Sequence, residues 1–277
     1  MGKKEVFNKI LKDIKNVKIQ GARDIAKESL YAYSLIPSKK SKKLLLSARQ
    51  TEPMMQNVLN MAEKRKKSYK QILKHFDFAQ KRINDYVFKI IKNDDVIFTH
   101  CHSTNVINAL IYAKGKGKKF EVYNTETRPL FQGRKTALEL RKAGIKVTMF
   151  IDSAAAIAIE KENKNDKIHA DKIFLGADAL LKNGIINKIG SKMIAEIAKV
   201  NKVPVYILAD SWKYTSKKVP IENRKLNEIW NKVPNQIKIQ NPAFEFVQEK
   251  YITRIISDLG ILKYDYFVRK AKKENSS

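Results

Sequence analysis

The amino-acid sequence predicts an α/β protein, helical at its N-terminus and built on a parallel sheet thereafter. From Asp94 onward, short apolar runs alternate with amphipathic stretches and turn residues, the grammar of strands joined by crossover helices. Before Asp94 the apolar residues recur at helical spacing. A third observation places the chemistry. The only cysteine among 277 residues, Cys101, stands in Thr99-His100-Cys101-His102-Ser103, directly behind the apolar run Val96-Ile97-Phe98. Ligands of open α/β sheets bind outside the carboxyl ends of the strands, which is where this thiol falls. The division expected is a helical domain over residues 1–92 and a sheet domain over 93–277.

In the helical part, Val6, Ile10 and Ile14 share one face of a first helix, and Ile25, Leu30 and Ala32 line a second after the Gly21-Ala22 interruption. A basic connector from Pro37 to Lys43 leads to the apolar segment Leu44-Leu45-Leu46. Pro53 opens one long helix marked by Met54, Val58, Ala62, Tyr69, Leu73 and Phe76, continuing through Ile83, Val87 and Ile91. In the sheet part, strands are expected at 95–99, 119–124, 146–151, 172–175 and 204–209, with helices at 103–114, 135–143, 153–161 and 190–201. Gly115, Gly117, Gly144 and the stretch Asn201 to Pro204 supply turns between them. Pro242 to Phe246 reads as one more extended segment, followed by a helix at 265–272 and a polar tail.

Composition excludes several classes. One cysteine forbids an internal disulfide, which suits a reducing compartment. No apolar run approaches the roughly 20 residues that span a bilayer. Met1-Gly2-Lys3-Lys4-Glu5 has no apolar leader region, so a cytoplasmic protein is expected. Lysine and arginine number 56 against 28 acids, a formal charge of +28. These cations are spread along nearly every segment, and the denser clusters, Lys39-Lys40-Ser41-Lys42-Lys43 and Lys64-Arg65-Lys66-Lys67, lack the interleaved aromatics of a strand-stacking surface. The reading is incidental RNA affinity without dedicated nucleic-acid binding, and a field that concentrates phosphorylated small molecules.

No Gly-x-Gly-x-x-Gly follows a strand and no Gly-x-x-x-x-Gly-Lys-[Ser/Thr] is present, so neither a dinucleotide nor ATP is implied as a cofactor. A zinc site at His100-Cys101-His102 is not supported either. Adjacent strand residues point to opposite faces, and only His75 and His169 remain as imidazoles. Instead, four strand-end segments read as parts of one polar site: His100 to Asn105, Thr125-Glu126-Thr127-Arg128-Pro129, Gly176-Ala177-Asp178-Ala179 and the cationic loop Asn187-Lys188-Ile189-Gly190-Ser191, with Asp210-Ser211-Trp212-Lys213 as a fifth candidate. Each has a bland reading alone: packing for Cys101, a cap for Asp178, surface charge for Arg128 and Lys188, a Glu126–Arg128 pair. Together they bring a thiol, a carboxylate and several cations to successive strand ends, with a helix N-terminus available for an anion. A thiol and a carboxylate suit proton shuttling beside a carbonyl. Flanking histidines, the helix N-terminus and cations would lower the pKa of Cys101, while burial would raise that of Asp178. The chemistry indicated is isomerisation of a phosphosugar without metal or nucleotide.

The motifs His100-Cys101-His102-Ser103, Thr125-Glu126-Thr127-Arg128-Pro129-Leu130-Phe131-Gln132-Gly133, Asp152-Ser153-Ala154-Ala155, Gly176-Ala177-Asp178 and Asn187-Lys188-Ile189-Gly190 resemble, in order, those of the archaeal ribose-1,5-bisphosphate isomerases. That family shares a superfamily with methylthioribose-1-phosphate isomerase and the alpha, beta and delta regulatory subunits of initiation factor 2B. The resemblance runs from about Gln20 to Phe267. It implies a helical N-terminal domain, a Rossmann-like domain without a dinucleotide motif, and homo-oligomers, dimers or hexamers. It implies Cys101 and Asp178 as the catalytic acid–base pair. Gly21, Ala22, Arg23, Arg49, Ser103, Thr104, Asn105, Arg128, Asn187, Lys188 and Lys213 would contact a phosphorylated sugar, ribose 1,5-bisphosphate, on its way to ribulose 1,5-bisphosphate. The implied setting is archaeal AMP metabolism, with AMP as a possible effector.

Two elements depart from the family pattern. Gln20-Gly21-Ala22-Arg23 lacks an arginine before the glycine, and Arg49-Gln50-Thr51 lacks a proline. Two alternatives stand beside the isomerase of the bisphosphate: an isomerase of a related sugar 1-phosphate, and a non-catalytic regulatory subunit that binds a translation factor. The His-Cys-His-Ser setting favours the enzyme over the regulatory subunit, and the Asn-Cys-Asn-Thr-Gly context of methylthioribose-1-phosphate isomerase is not present.

Overall fold

Apolar stripes at helical spacing assemble the N-terminal part of the computed structural model, which describes residues 2–64, 68–160 and 169–276. Phe7, Ile10 and Ile14 of α1 (Lys3–Lys15) pack with Ile25, Ala32 and Tyr33 of α2 (Ala22–Leu35) and with Leu45 of α3 (Lys39–Ala48). Met55 and Leu59 of α4 (Pro53–Lys64) close that cluster. Most of the basic connector is thus the first turn of α3, because Ser38 accepts the Ser41 N–H and caps it. The single long helix expected from Pro53 is two helices. Ser68 starts α5 (Tyr69–Ile90) with a reciprocal capping box to Gln71, a start signal that apolar spacing alone hides. Arg65, Lys66 and Lys67 lie outside the described residues.

The C-terminal half of α5 belongs to the sheet: Ile83, Val87 and Ile91 share a cluster with Ile97, Val106 and Leu110. The elements that follow are β1 (Asp95–Thr99), α6 (Thr104–Gly115), β2 (Phe120–Thr125), α7 (Gln132–Lys142), β3 (Lys146–Phe150), β4 (Lys172–Leu175), β5 (Ala179–Leu180), β6 (Gly184–Lys188) and α8 (Ser191–Val200). The chain ends with β7 (Val205–Leu208), β8 (Phe244–Gln248), β9 (Arg254–Ser257), β10 (Gly260–Leu262) and α9 (Tyr264–Ser276). The expected helix over 153–161 is a 3₁₀ turn, Asp152–Ala154, continued by further turns to Ile159, whose backbone bonds close mostly at i+3. Residue 161 lies outside the described residues.

Seven strands form the main sheet in the order β3-β2-β1-β4-β7-β9-β10, parallel except for β10. Taken in chain order, its six parallel strands lie as third, second, first, fourth, fifth and sixth, the doubly wound arrangement. Its switch point lies between β1 and β4, where Thr99 faces Phe174. A second, antiparallel sheet, β5-β6-β8, stands beyond the end of β4. The expected loop Asn187-Lys188 is therefore the end of buried strand β6, and Pro242 to Phe246 leads into its partner β8. Asn183-Gly184 between Leu180-Leu181 and Ile185-Ile186 is the hairpin signal that would have revealed β6. No helix among the described residues is long and apolar enough to cross a membrane.

Close backbone contact fixes the ends of these strands. Gly133 lies against the end of β2 so tightly that an added Cβ would sit 1.8 Å from the Thr125 carbonyl oxygen. Asn124 Nδ2 clamps the same junction by donating to the Gly133 carbonyl at 2.8 Å. Gly133→Ala should therefore destabilise the protein by roughly 2–3 kcal/mol, with an apparent Tm several degrees below wild type in thermal denaturation. An unchanged Tm would show that the junction yields without cost.

Candidate active site

The chain leaving β1 makes a sharp bend before α6, and Cys101 takes a left-handed backbone with φ of 67°. That conformation costs a non-glycine residue roughly 1–2 kcal/mol, so the neighbours must hold it. Thr127 Oγ1 accepts the Cys101 N–H at 3.0 Å, and the Thr136 hydroxyl donates to the Cys101 carbonyl at 2.8 Å. Asp152 in turn accepts the Thr127 N–H at 2.8 Å and the Arg128 N–H at 2.6 Å. The Thr-Glu-Thr-Arg motif thus acts through its threonines and backbone as a cradle for the thiol residue. The Arg128 side chain, expected in the site, is exposed, lies 5.0 Å from the Phe131 ring and is not among the residues that line the cavity described below. Glu126 pairs with Arg134 at 2.9 Å rather than with Arg128.

A cavity of about 550 Å³ opens at the switch point, a size suited to a small organic ligand. It gathers Cys101 and Asp178 with Gly21, Ala22, Arg23, Arg49, Ser103, Thr104, Asn105, Asn187, Lys188 and Lys213, every expected site residue except Arg128. Asp178 follows β4 and Cys101 follows β1, so the two flank the crevice from neighbouring strands. Gly176 makes this possible: a Cβ there would meet Ser103 Oγ at 2.5 Å. The starts of α2 and α6 both border the cavity, presenting free N–H groups and the positive ends of two helix dipoles. Gly21 permits the first of these with φ of 83°.

Cations line the walls. Lys213, at the end of a 3₁₀ turn in which Asp210 accepts the Trp212 N–H and Asp258 the Ser211 N–H, donates to the Ala177 carbonyl at 2.6 Å. Lys188 is buried, and desolvation lowers its pKa while the nearby Cys101 and Asp178 pull the other way. Arg49 pairs with Glu222 at 3.2 Å and faces Glu52 at 3.7 Å, yet its Nε and Nη1 are buried without partners. Arg23 reaches Asp77 at 2.8 Å while its Nε is buried unpaired. Asn105 spends its side-chain amide on Gln80 at 2.9 Å, leaving its place at the helix start as its contribution. Asn187 Nδ2 donates to Ser191 Oγ at 2.8 Å. Glu52 and Arg224 also line the cavity. Neither was legible in sequence, Glu52 because an acid before Pro53 reads as a helix-start residue, and Arg224 because it is one cation among many.

The histidines take a different role from the one expected. His100 Nε2 donates to the Ile189 carbonyl at 2.8 Å, so Nδ1 is the nitrogen that accepts from Thr125 Oγ1 at 2.5 Å. Burial depresses the His100 pKa, and the neutral ring buttresses β6 against β1. His102 is likewise held neutral by burial and by Lys135, with Nδ1 3.1 Å from Thr136 Oγ1. Neither ring supplies a positive charge to the thiol. Burial pushes Cys101 up to about 11 against the pull of Lys188. Cys101 is therefore a protonated thiol, and the expected depressed pKa is corrected. Burial also raises Asp178, opposed by Lys213, Arg49 and Lys188.

A doubly wound α/β protein with a cation-lined cleft at its switch point is the class that fold and cavity define. The chain belongs to the Initiation factor 2 subunit family, whose pattern it matches over residues 31–264. It is 33% identical to the ribose 1,5-bisphosphate isomerase of Thermococcus kodakarensis over 94% of this chain and 91% of that one. It is 35% identical to the methylthioribose-1-phosphate isomerase of Thermosipho melanesiensis over 66% of this chain and 57% of that one. Among solved structures, the translation initiation factor eIF-2B of Pyrococcus horikoshii superposes with a TM-score of 0.79 at 23% identity, covering 93% of this chain and 96% of that one, a likeness of fold.

The protonated state of the thiol is open to direct measurement. Because Cys101 is the only cysteine, alkylation by iodoacetamide reports on it alone. At pH 7.5 it should react roughly 10²-fold more slowly than a free cysteine, accelerate as pH climbs towards 11, and slow further in Lys188→Met. A rate matching free cysteine would contradict the assignment.

Proposed function

We propose that this protein is an aldose–ketose isomerase that converts ribose 1,5-bisphosphate to ribulose 1,5-bisphosphate, with Cys101 and Asp178 as its acid–base pair. The observation that carries the reading is the placement of a protonated thiol and a half-buried carboxylate on either side of one crevice, at the ends of adjacent strands β1 and β4. The relatives named ribose 1,5-bisphosphate isomerase support it. The coarser assignment, a sugar-phosphate isomerase, is shared by the relatives named for methylthioribose 1-phosphate and 5-deoxyribose 1-phosphate.

Chemistry assigns the roles. C1 of the substrate carries both the ring oxygen and a phosphate ester, so opening the ring requires a proton on that oxygen as the C1–O4 bond breaks. A thiol still protonated at neutral pH supplies it. Asp178, surrounded by Lys213, Arg49 and Lys188, accepts the proton of the 2-hydroxyl as the C2 carbonyl forms and the C2 hydrogen passes with its bonding pair to electron-deficient C1. Return of the proton from Asp178 to Cys101 completes the cycle. The sum is an isomerisation that consumes no oxidant or reductant.

Wall chemistry favours two phosphates over one. An apolar 5-substituent would need an apolar pocket, whereas this cavity is bordered by Arg23, Lys188, Lys213, Arg224 and two helix starts. The homo-oligomer implied by the family resemblance is part of the proposal, and exposed apolar side chains on and around edge strand β3, Leu138, Met149, Ile151 and Ile157, supply a surface for it. AMP as effector also belongs to the proposal.

Purified protein mixed with synthetic ribose 1,5-bisphosphate, with and without AMP, should form ribulose 1,5-bisphosphate. Absence of product from folded protein under both conditions would sink the assignment. Cys101→Ser and Asp178→Asn should each lower kcat by roughly 10²-fold or more with the fold retained by circular dichroism. Full activity in either variant removes that residue from the mechanism.

A further inference from the structure

Glu52 occupies the short connection between α3 and α4, with Pro53 behind it, and is only 2% exposed. Its Oε2 is shut away from solvent without a hydrogen-bond partner among the described residues. The charged groups that face it come from four places: Arg49 on its own connection at 3.7 Å, Asp178 after β4, Lys213 after β7, and Glu222 from the loop before β8. Three carboxyl groups thus meet at one corner of the cavity, Glu52 fully buried and Asp178 and Glu222 half-buried. Both cations there are partly committed, Arg49 to Glu222 at 3.2 Å and Lys213 to the Ala177 carbonyl at 2.6 Å.

Carboxylates crowded into one such corner disfavour one another's ionisation, which favours a proton retained by the cluster. Burial raises Asp178, but Lys213, Arg49 and Lys188 all stabilise its anion. Glu52 lies deeper, and its best cation is beyond hydrogen-bond reach. The proton therefore settles on Glu52. Burial and the neighbouring Asp178 push Glu52 up to about 8, in the same direction. Neighbouring carboxyls with such different surroundings divide into an acid that keeps its proton and a base that lacks one.

We propose that Glu52 is a positioning residue of this site: a neutral carboxylic acid that holds the cluster's proton and so leaves Asp178 ionised to accept one from the substrate. Its kinetic consequence rests on the isomerase reading, whereas its protonation does not. Once Glu52 ionises, a second negative charge stands beside Asp178 and opposes an anionic substrate, so kcat/KM falls as pH rises through about 8.

The experiment pairs kinetics with a titration that needs no substrate. Turnover of ribose 1,5-bisphosphate is followed from pH 6 to pH 9.5 for wild type, Glu52→Gln and Glu52→Ala. Alongside it, carbon-13 NMR follows the carboxyl carbons of glutamate-labelled protein. Glu52→Ala should lower kcat/KM at pH 7 by roughly 10-fold or more, and Glu52→Gln, which keeps a donor in place, should recover most of that loss. The alkaline fall near pH 8 should be present in wild type and missing in Glu52→Gln, and one glutamate should titrate near 8 only in wild type. An alkaline fall retained in Glu52→Gln, or no glutamate titrating above pH 7, overturns the proposal while leaving the isomerase reading intact. A glutamate titrating near 8 in a protein that does not turn over the bisphosphate supports the protonation of Glu52 and overturns the isomerase reading instead.

Discussion

Parallel pairing of β1 with β4 is the constraint on which the site depends. The chain leaving β1 turns into α6, and the chain leaving β4 turns into the small second sheet, so the two ends diverge and a crevice must open between them. Gly176 lets the β4 end pass against Ser103, and Thr127 and Thr136 hold Cys101 in its left-handed bend. Strain held by surrounding bonds is a common property of reactive positions. The helical part supplies the opposite wall through Arg49, Glu52 and the start of α2.

Charge in this protein has two unrelated meanings. Most of the 56 cations are solvated, and pairs such as Arg269–Asp265 lie on the surface, where they contribute little to stability. A few are buried, where a charge must be compensated. Lys172 is compensated by Asp95 and ties β4 to β1. Lys188, Lys213 and Arg49 instead surround Asp178 at the cavity. Net charge alone cannot separate these groups, but burial does.

Much of the fold was legible because the parallel strands are short apolar runs that a period-2 or continuous pattern marks. Those at 95–99 and 172–175 match the structure residue for residue. What escaped was decided by other signals. Ser68 and Gln71 divide a helix that apolar spacing reads as continuous. β6 was hidden because Lys188 and Asn187 look like loop residues, and only pairing with β8 makes them strand. Cys101 and Asp178 were legible as strand-end residues of uncommon type. The state of the thiol was not, since burial sets it and the histidines that could have opposed burial are neutral, held by contacts 25 to 89 residues apart.

β6 lies between β5 and β8, and its Asn187 and Lys188 pair with Glu245 and Phe244, more than fifty residues downstream. During synthesis the thiol and the carboxylate emerge long before the strand that completes the wall beside them. A nascent chain that has reached Asp178 therefore carries both groups before Asn187 and Lys188 are fixed in a paired strand. That wall of the cavity is complete only once β8 has emerged and paired with β6, so its assembly waits on a contact distant in sequence.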